Sequence, residues 1–289
     1  MRLATLVDAD GSYVAAVVDG DRALPIRLDD GSRPGVRALA GDPAQLERVR
    51  AWAAGQPAED WLGLAACTLG PAVPDPGAIY TIGLNYRAPG EVPGSGPDRP
   101  LVYGKAASSV AADGATLAWD RSLTDNVDAE CELGIVIGAT ASHVAPADAL
   151  RHVFGWTVMN DVSSRDEWLD GDQWLIGKSM PGFCPVGPWV VTADELDPAD
   201  IGLGCTINGE AIQDGRTSAM RFGIAEIVSY LSRHLVLRPG DLIASGTPAR
   251  LTSLPGPDRR LRPGDRVTCW IEGIGELTTH IGSNEEHTR

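Results

Sequence analysis

No run of about eighteen apolar residues occurs anywhere in the chain, so no helix of it is expected to cross a membrane. Positive charge is also scarce. Only 24 Lys and Arg stand against 39 Asp and Glu, a formal net charge of −15. Such a surface repels phosphate backbones and anionic lipid headgroups, which argues against nucleic acid or membrane as a partner. An anionic substrate must then be met by locally placed cations. Cysteine is sparse and irregular. Cys67, Cys131, Cys184, Cys205 and Cys269 show no paired metal spacing, so reduced thiols in a cytoplasmic protein are expected. None of them has a histidine in a sequence context that would make it a nucleophile. The opening Met-Arg-Leu-Ala-Thr-Leu-Val-Asp meets acid and glycine too early to read as a secretory signal. Apolar residues, by contrast, are ample: at 43% of 289 they suffice for a large core.

Residues 1–72 read as a small mixed α+β lobe. Strands are expected over 2–7, 13–18 and 23–28, divided by Asp-Gly turns, with helical patterning through 36–40 and 43–54. The Pro/Gly-rich run from Gly70 to Gly77 marks a boundary. A strand over 78–83 then begins the larger unit, 73–289. That unit is mostly strand and turn: further strands are expected over 154–159, 189–192, 204–207, 241–244, 267–271 and 275–281, with helices over 146–153 and 223–232. Leu-Arg-Pro-Gly-Asp occurs at 237–241 and again at 261–265. Pro-Gly at the centre of each suits a type II turn, since Pro sets φ and Gly accepts a positive one. The fold class is therefore a β-rich α+β domain.

Chemistry concentrates between Asp128 and Pro188. In Asp128-Ala-Glu130-Cys-Glu132-Leu-Gly-Ile-Val-Ile-Gly138 the apolar side chains alternate, the period of a half-buried strand. Residues two apart share a face, so Glu130 and Glu132 point into one space. Asp161 follows a second apolar strand. Three hard oxygen ligands suit Mg²⁺ or Ca²⁺. Two plainer readings stay open, a solvated acidic face and helix capping by Asn160, Asp161 and Ser163. Arg165 and Lys178 bring positive charge close after Asp161, as an anionic ligand would need.

The residues carry a resemblance in unbroken order over about 78–284. Ile82-Gly-Leu-Asn85-Tyr86, Tyr103-Gly-Lys105, Glu130-x-Glu132, Asn160-Asp161-Val-Ser-Ser-Arg165-Asp166, Gly177-Lys178-Ser179, Asn208-Gly209-Glu210…Gln213 and Gly246-Thr247-Pro248 resemble the fumarylacetoacetate hydrolase superfamily. The similarity is strongest to the branch of 2-hydroxyhepta-2,4-diene-dioate isomerases and acylpyruvate hydrolases. It implies a distorted β-sandwich or roll, commonly a homodimer, and a divalent metal on Glu130, Glu132 and Asp161. That metal is usually Mg²⁺, with Mn²⁺ or Ca²⁺ as substitutes. It further implies that Lys178 is catalytic and that Tyr86, Arg165 and Thr247 contact a small anionic oxo-acid.

Three departures are informative. Hydrolytic members usually carry Asn-Tyr-x-x-His-x-x-Glu, whose histidine and acid activate water. Here Pro89 stands at the histidine position and Val92 at the acid position, in a loop with four prolines and three glycines over 85–100. Glu91 is the nearest replacement for the catalytic acid. Trp168 replaces a frequent glutamine and Gly182 a common threonine, which implies fewer hydrogen-bond donors and more apolar contact with substrate. The expected activity is metal-assisted chemistry on a 2-oxo or β-dicarbonyl acid, with C–C hydrolysis as the family default. Isomerisation or decarboxylation needs no water nucleophile and is the alternative. A binding protein that has lost the chemistry is a third reading, opposed by the intact acids and Lys178.

Overall fold

The computed structural model describes residues 1–88, 90–92, 94–166, 173–251 and 260–283. Strands dominate. They are β1 Arg2–Val7, β2 Tyr13–Asp19, β3 Arg22–Pro25, β4 Leu62–Gly63, β5 Ile79–Gly83 and β6 Leu101–Lys105, followed by the short β7 Val110–Ala111, β8 Ala115–Leu117 and β9 Val127–Asp128. After these come β10 Cys131–Ile137, β11 Val153–Asn160, β12 Ser163–Ser164, β13 Cys184–Thr192, β14 Gly202–Ile207 and β15 Glu210–Arg216. The last are β16 Leu242–Ala244, β17 Arg266–Ile271 and β18 Gly275–Ile281. The helices are α1 Val36–Ala40, α2 Pro43–Ala54, α3 Trp174–Gly177 and α4 Ile224–His234. Residues 146–152, expected as an α-helix, form a 3₁₀ segment.

The main sheet runs β4-β3-β2-β1-β13-β11-β10-β16-β5-β6, with β7 joined to β13. A second sheet runs β15-β14-β17-β18-β8. Between the two lies a core that takes Leu133, Ile135 and Trp156 from the first sheet and Leu203, Val267 and Leu277 from the second, with Ile227 and Leu231 from α4. The opposite face of the main sheet buries Val136, Phe154 and Val186 against Val36, Leu39 and Val49 of α1 and α2. The β-rich α+β expectation, two sheets enclosing one core, is borne out. Residues 1–72 add their strands to the main sheet through the antiparallel β1–β13 pair.

One expectation needs correction. β10 is not half-buried: every residue from Cys131 to Ile137 is buried. Cys131, Leu133, Ile135 and Ile137 enter the inter-sheet core, while on the other face Val136 is covered by the α1–α2 layer and Glu132 by the turn at Gly246. A strand flanked by β11 and β16 with a layer on either side has no solvent face. The two Leu-Arg-Pro-Gly-Asp turns form as expected. Gly240 and Gly264 take positive φ, and Asp241 N and Asp265 N donate back to Arg238 O and Arg262 O, 3.0 Å each.

Candidate metal centre

The register of one strand pair builds the acidic cluster. β10 and β11 are antiparallel with Cys131 opposite Asn160, so Glu130 and Asp161 continue the pair one step beyond the ladder. Opposed residues share a face, and so do residues two apart. Glu130, Glu132 and Asp161 therefore converge, each with a carboxylate oxygen within 4.8 Å of the other two. Backbone contacts hold the corner. Asp161 N donates to Glu130 O at 2.9 Å, and Glu130 N to the Asn160 side-chain oxygen at 3.0 Å.

Two lysines close on the same carboxylate. Lys105 Nζ, at the end of β6, donates to Asp161 Oδ1 at 2.6 Å and to Val162 O at 3.1 Å. Lys178 Nζ, just past α3, donates to Asp161 Oδ2 at 2.5 Å, Ser163 Oγ at 2.8 Å and Glu130 Oε2 at 3.3 Å. Burial disfavours a charge on Asp161, but Lys105 and Lys178 override it and hold the carboxyl at about 2. Burial likewise opposes the Lys178 charge, and Asp161, Glu130 and Glu132 outweigh it, raising that lysine above its usual value. Among the described residues no cation forms an ion pair with Glu132, and the pull of Lys178 on it is outweighed. Burial, then the repulsion of Asp161 and Glu130, push its carboxyl well above the ordinary range.

A hard divalent cation fits this set. Three buried or nearly buried carboxylates supply oxygen donors, and Glu132 lacks the compensating charge that a cation brings. The hydroxyls of Tyr86 and Ser245 are buried near each other, and neither has a hydrogen bond of good geometry. Ser245 adjoins the cluster, since its N donates to Leu133 O at 3.1 Å and Gly246 N donates to Glu132 Oε2 at 2.6 Å. Buried orphan hydroxyls of this kind are normally satisfied by water or ligand oxygen.

The acids form the floor of a cavity of about 960 Å³. Tyr86, Glu91, Arg165, Lys178 and Thr247, all expected at the site, line it together with the three acids. Arg165 donates to Glu130 and lies 3.9 Å from Asp128. The Thr247 hydroxyl donates to Cys131 O at 2.8 Å and accepts from Gln213 Nε2 at 2.7 Å. Glu91 accepts from Arg221, from Ser95 Oγ at 3.1 Å and from Ala88 N at 3.0 Å. These contacts, Arg221 foremost, hold its carboxyl down at about 2. Trp168 and Pro89 lie outside the described residues. His143, His152, His234 and His280 do not line the cavity, and His287 too is outside the described residues.

A glycine-dependent turn aims one wall. Gly246 has φ +97, and a Cβ there would lie 2.7 Å from Asn85 Cβ and 2.9 Å from Ile82 O. Asn85 joins the strands: its amide donates to Ser245 O at 2.7 Å and Phe222 O at 3.1 Å, and its oxygen accepts from Phe222 N at 3.0 Å. Lys105, Asp128, Gln213 and Arg221 belong to the site but were not singled out as site residues from the sequence. A signal for Lys105 was present. Only two of the 24 basic residues are lysines, and both contact Asp161. Arg221 gave none, because its role depends on a pairing between segments distant in the chain.

Comparison with known proteins agrees with this geometry. The family model "Fumarylacetoacetate (FAA) hydrolase C-terminal" matches residues 78–282. An uncharacterized protein of Staphylococcus aureus is 39% identical over 212 residues, covering 73% of this chain and 71% of that protein. The crystal structure of a 2-hydroxyhepta-2,4-diene-1,7-dioate isomerase from Mycobacterium marinum is similar at 29% identity and TM-score 0.75, over 98% of either chain. A maleylpyruvate hydrolase from Sphingobium sp. SYK-6, solved with manganese(II) and pyruvate, is similar at 27% identity and TM-score 0.79, over 98% of this chain and 99% of that one.

Proposed function

The chain belongs to the fumarylacetoacetate hydrolase family, and from that membership and the cavity's geometry we propose a divalent-metal enzyme that isomerises or decarboxylates a small 2-oxo or β-dicarbonyl acid. The observation that carries the non-hydrolytic reading is the state of Glu91. Hydrolysis needs a base to take a proton from water, and such assistance is worth roughly 10²–10⁴-fold when the base is matched to the working pH. Glu91 is bound by Arg221, Ser95 and the Ala88 amide, and its carboxyl sits at about 2. A carboxylate so stabilised accepts protons poorly. None of the described histidines reaches the cavity to replace it.

In contrast, protonation at carbon, which both decarboxylation and ketonisation of an enol substrate require, has its donor in place. Lys178, charged and buried, is fixed by Asp161 and Ser163 at the cavity floor. It can donate a hydrogen bond to an oxygen that gains negative charge, then hand a proton to the carbon that must be reprotonated. Lys105 neutralises the other oxygen of Asp161 and keeps that carboxylate in position. Arg165 would meet the anionic end of the substrate by exchanging its Glu130 contact, and Thr247 by exchanging its bond to Cys131 O. Bound at Glu130, Glu132 and Asp161, Mg²⁺ or Mn²⁺ would supply the positive charge that favours enolisation of the oxo-acid.

Hydrolysis is the second reading, favoured by the similarity to maleylpyruvate hydrolase and by the presence of Glu91 in the wall. Turnover of oxaloacetate and of an acylpyruvate in ¹⁸O-water with Mn²⁺ distinguishes the two. The expected result is CO₂ loss or tautomer exchange with no label in a newly formed carboxylate. Label in such a carboxylate at the turnover rate makes the enzyme a hydrolase.

A further inference from the structure

The wall of the cavity away from the metal acids has a charge pattern of its own. Four cations of the described residues line the cavity: Arg165, Lys178, Arg221 and Arg250. Arg165 and Lys178 serve the acidic floor. The other two each hold a carboxylate of the chain, Arg221 with Glu91 and Arg250 with Asp128. Arg221 is also committed through Nε to Leu84 O at 2.9 Å, and its side chain is only 14% exposed. The Glu91 loop closes over it so tightly that a Cβ at Gly96 would run into the guanidinium.

Apolar groups fill much of the remaining wall. Tyr103 and Trp174 present a pair of rings with centroids 4.9 Å apart, tilted by 37°. Leu84 is 70% exposed at the mouth in the left-handed region, φ +53, where a leucine is rarely found. Ile82 and Pro97 continue the lining. A second carboxylate entering here would have to part Arg221 from Glu91 and leave that acid unpaired beside the incoming charge. Like charges so placed are strongly disfavoured. A neutral ring or alkyl chain meets no such penalty and covers exposed apolar surface.

We propose that this end of the pocket selects oxo-acids whose distal group is apolar and uncharged, and that the Glu91–Arg221 pair enforces the choice by excluding a second carboxylate. The inference rests on the oxo-acid reading of the site and concerns which oxo-acid is taken. It is tested with two acylpyruvates of equal length, one ending in a phenyl ring and one in a carboxylate, assayed for kcat/KM with saturating Mn²⁺. Wild-type enzyme is expected to favour the phenyl compound by about tenfold or more. Glu91→Gln, which frees Arg221, is expected to shift the ratio toward the dicarboxylate by a similar factor. Trp174→Ala is expected to raise KM for the phenyl compound alone. Equal or better use of the dicarboxylate by wild type, or an unchanged ratio in Glu91→Gln, overturns the proposal. If neither compound turns over, it is the oxo-acid chemistry that fails. Calorimetric affinities of the same pair then decide selectivity, and tighter or equal binding of the dicarboxylate overturns it.

Discussion

Replacing Lys105 by methionine isolates the electrostatic argument from the chemistry. The side chains of Lys105 and Asp161 are 0% and 1% exposed, with Nζ 2.6 Å from Oδ1. Breaking a buried pair from one side strands the partner's charge, at a typical cost of about 3–5 kcal/mol. Lys178 still holds the other oxygen of Asp161, so the lower end, about 3 kcal/mol, is expected for the metal-free protein at neutral pH. The pH dependence has a definite sign. The Asp161 carboxyl is lowered from 3.8 to about 2, so its stabilisation is complete above the unfolded value and is lost as pH falls through the folded one. Loss of Lys105 weakens that hold and moves the acid limb upward in pH. Removing one positive charge also leaves the cluster more receptive to a cation. Mn²⁺ should therefore stabilise Lys105→Met by more than it stabilises wild type. Urea unfolding with chelator and with Mn²⁺, from pH 3 to 8, measures all three quantities. A loss under about 1 kcal/mol without metal, or equal metal increments for the two proteins, would refute the reasoning.

Two further substitutions probe other parts of the site. Lys178→Met should lower kcat by roughly 10²–10⁴-fold while Mn²⁺ still raises the unfolding midpoint, which separates proton transfer from metal binding. Unchanged turnover would remove Lys178 from the chemistry. Gly246→Ala forces a Cβ into a positive-φ turn and against Asn85, and should cost on the order of 2 kcal/mol together with weakened metal binding, since Gly246 N anchors Glu132. Titration of Mn²⁺ against thermal stability checks both effects.

Much of the fold was legible because its signals are local. Alternation located β10, a short apolar run located β11, Asp-Gly turns separated β1, β2 and β3, and Pro-Gly fixed the two matching turns. What local pattern cannot report is the number of layers a strand lies between, which is why β10 read as half-buried. The acids were legible for the same local reason in part. Glu130 and Glu132 share a face by strand period alone, while the approach of Asp161 depends on the Cys131–Asn160 register, a tertiary fact. Arg221 meets Glu91 across 130 residues of chain, and only the folded pairing of residues 85–87 with 219–221 makes it part of the cavity.

The cations follow a chemical rule that composition does carry. The chain uses arginine almost everywhere, including the surface pairs to Asp8, Asp19 and Asp200. At Asp161 it uses its only two lysines. A guanidinium is broad, planar and effectively always charged, so two of them would crowd one buried carboxylate and neither could give up a proton. An ammonium is a compact charge that can take one oxygen, leave the other to its twin, and still exchange a proton with a bound acid. The division of labour follows from position: Lys105, at 0% exposure and bonded to the Val162 carbonyl, is walled off from substrate, whereas Lys178 lines the cavity. One ammonium therefore fixes the charge of Asp161, and the other is left to act on what binds beside it.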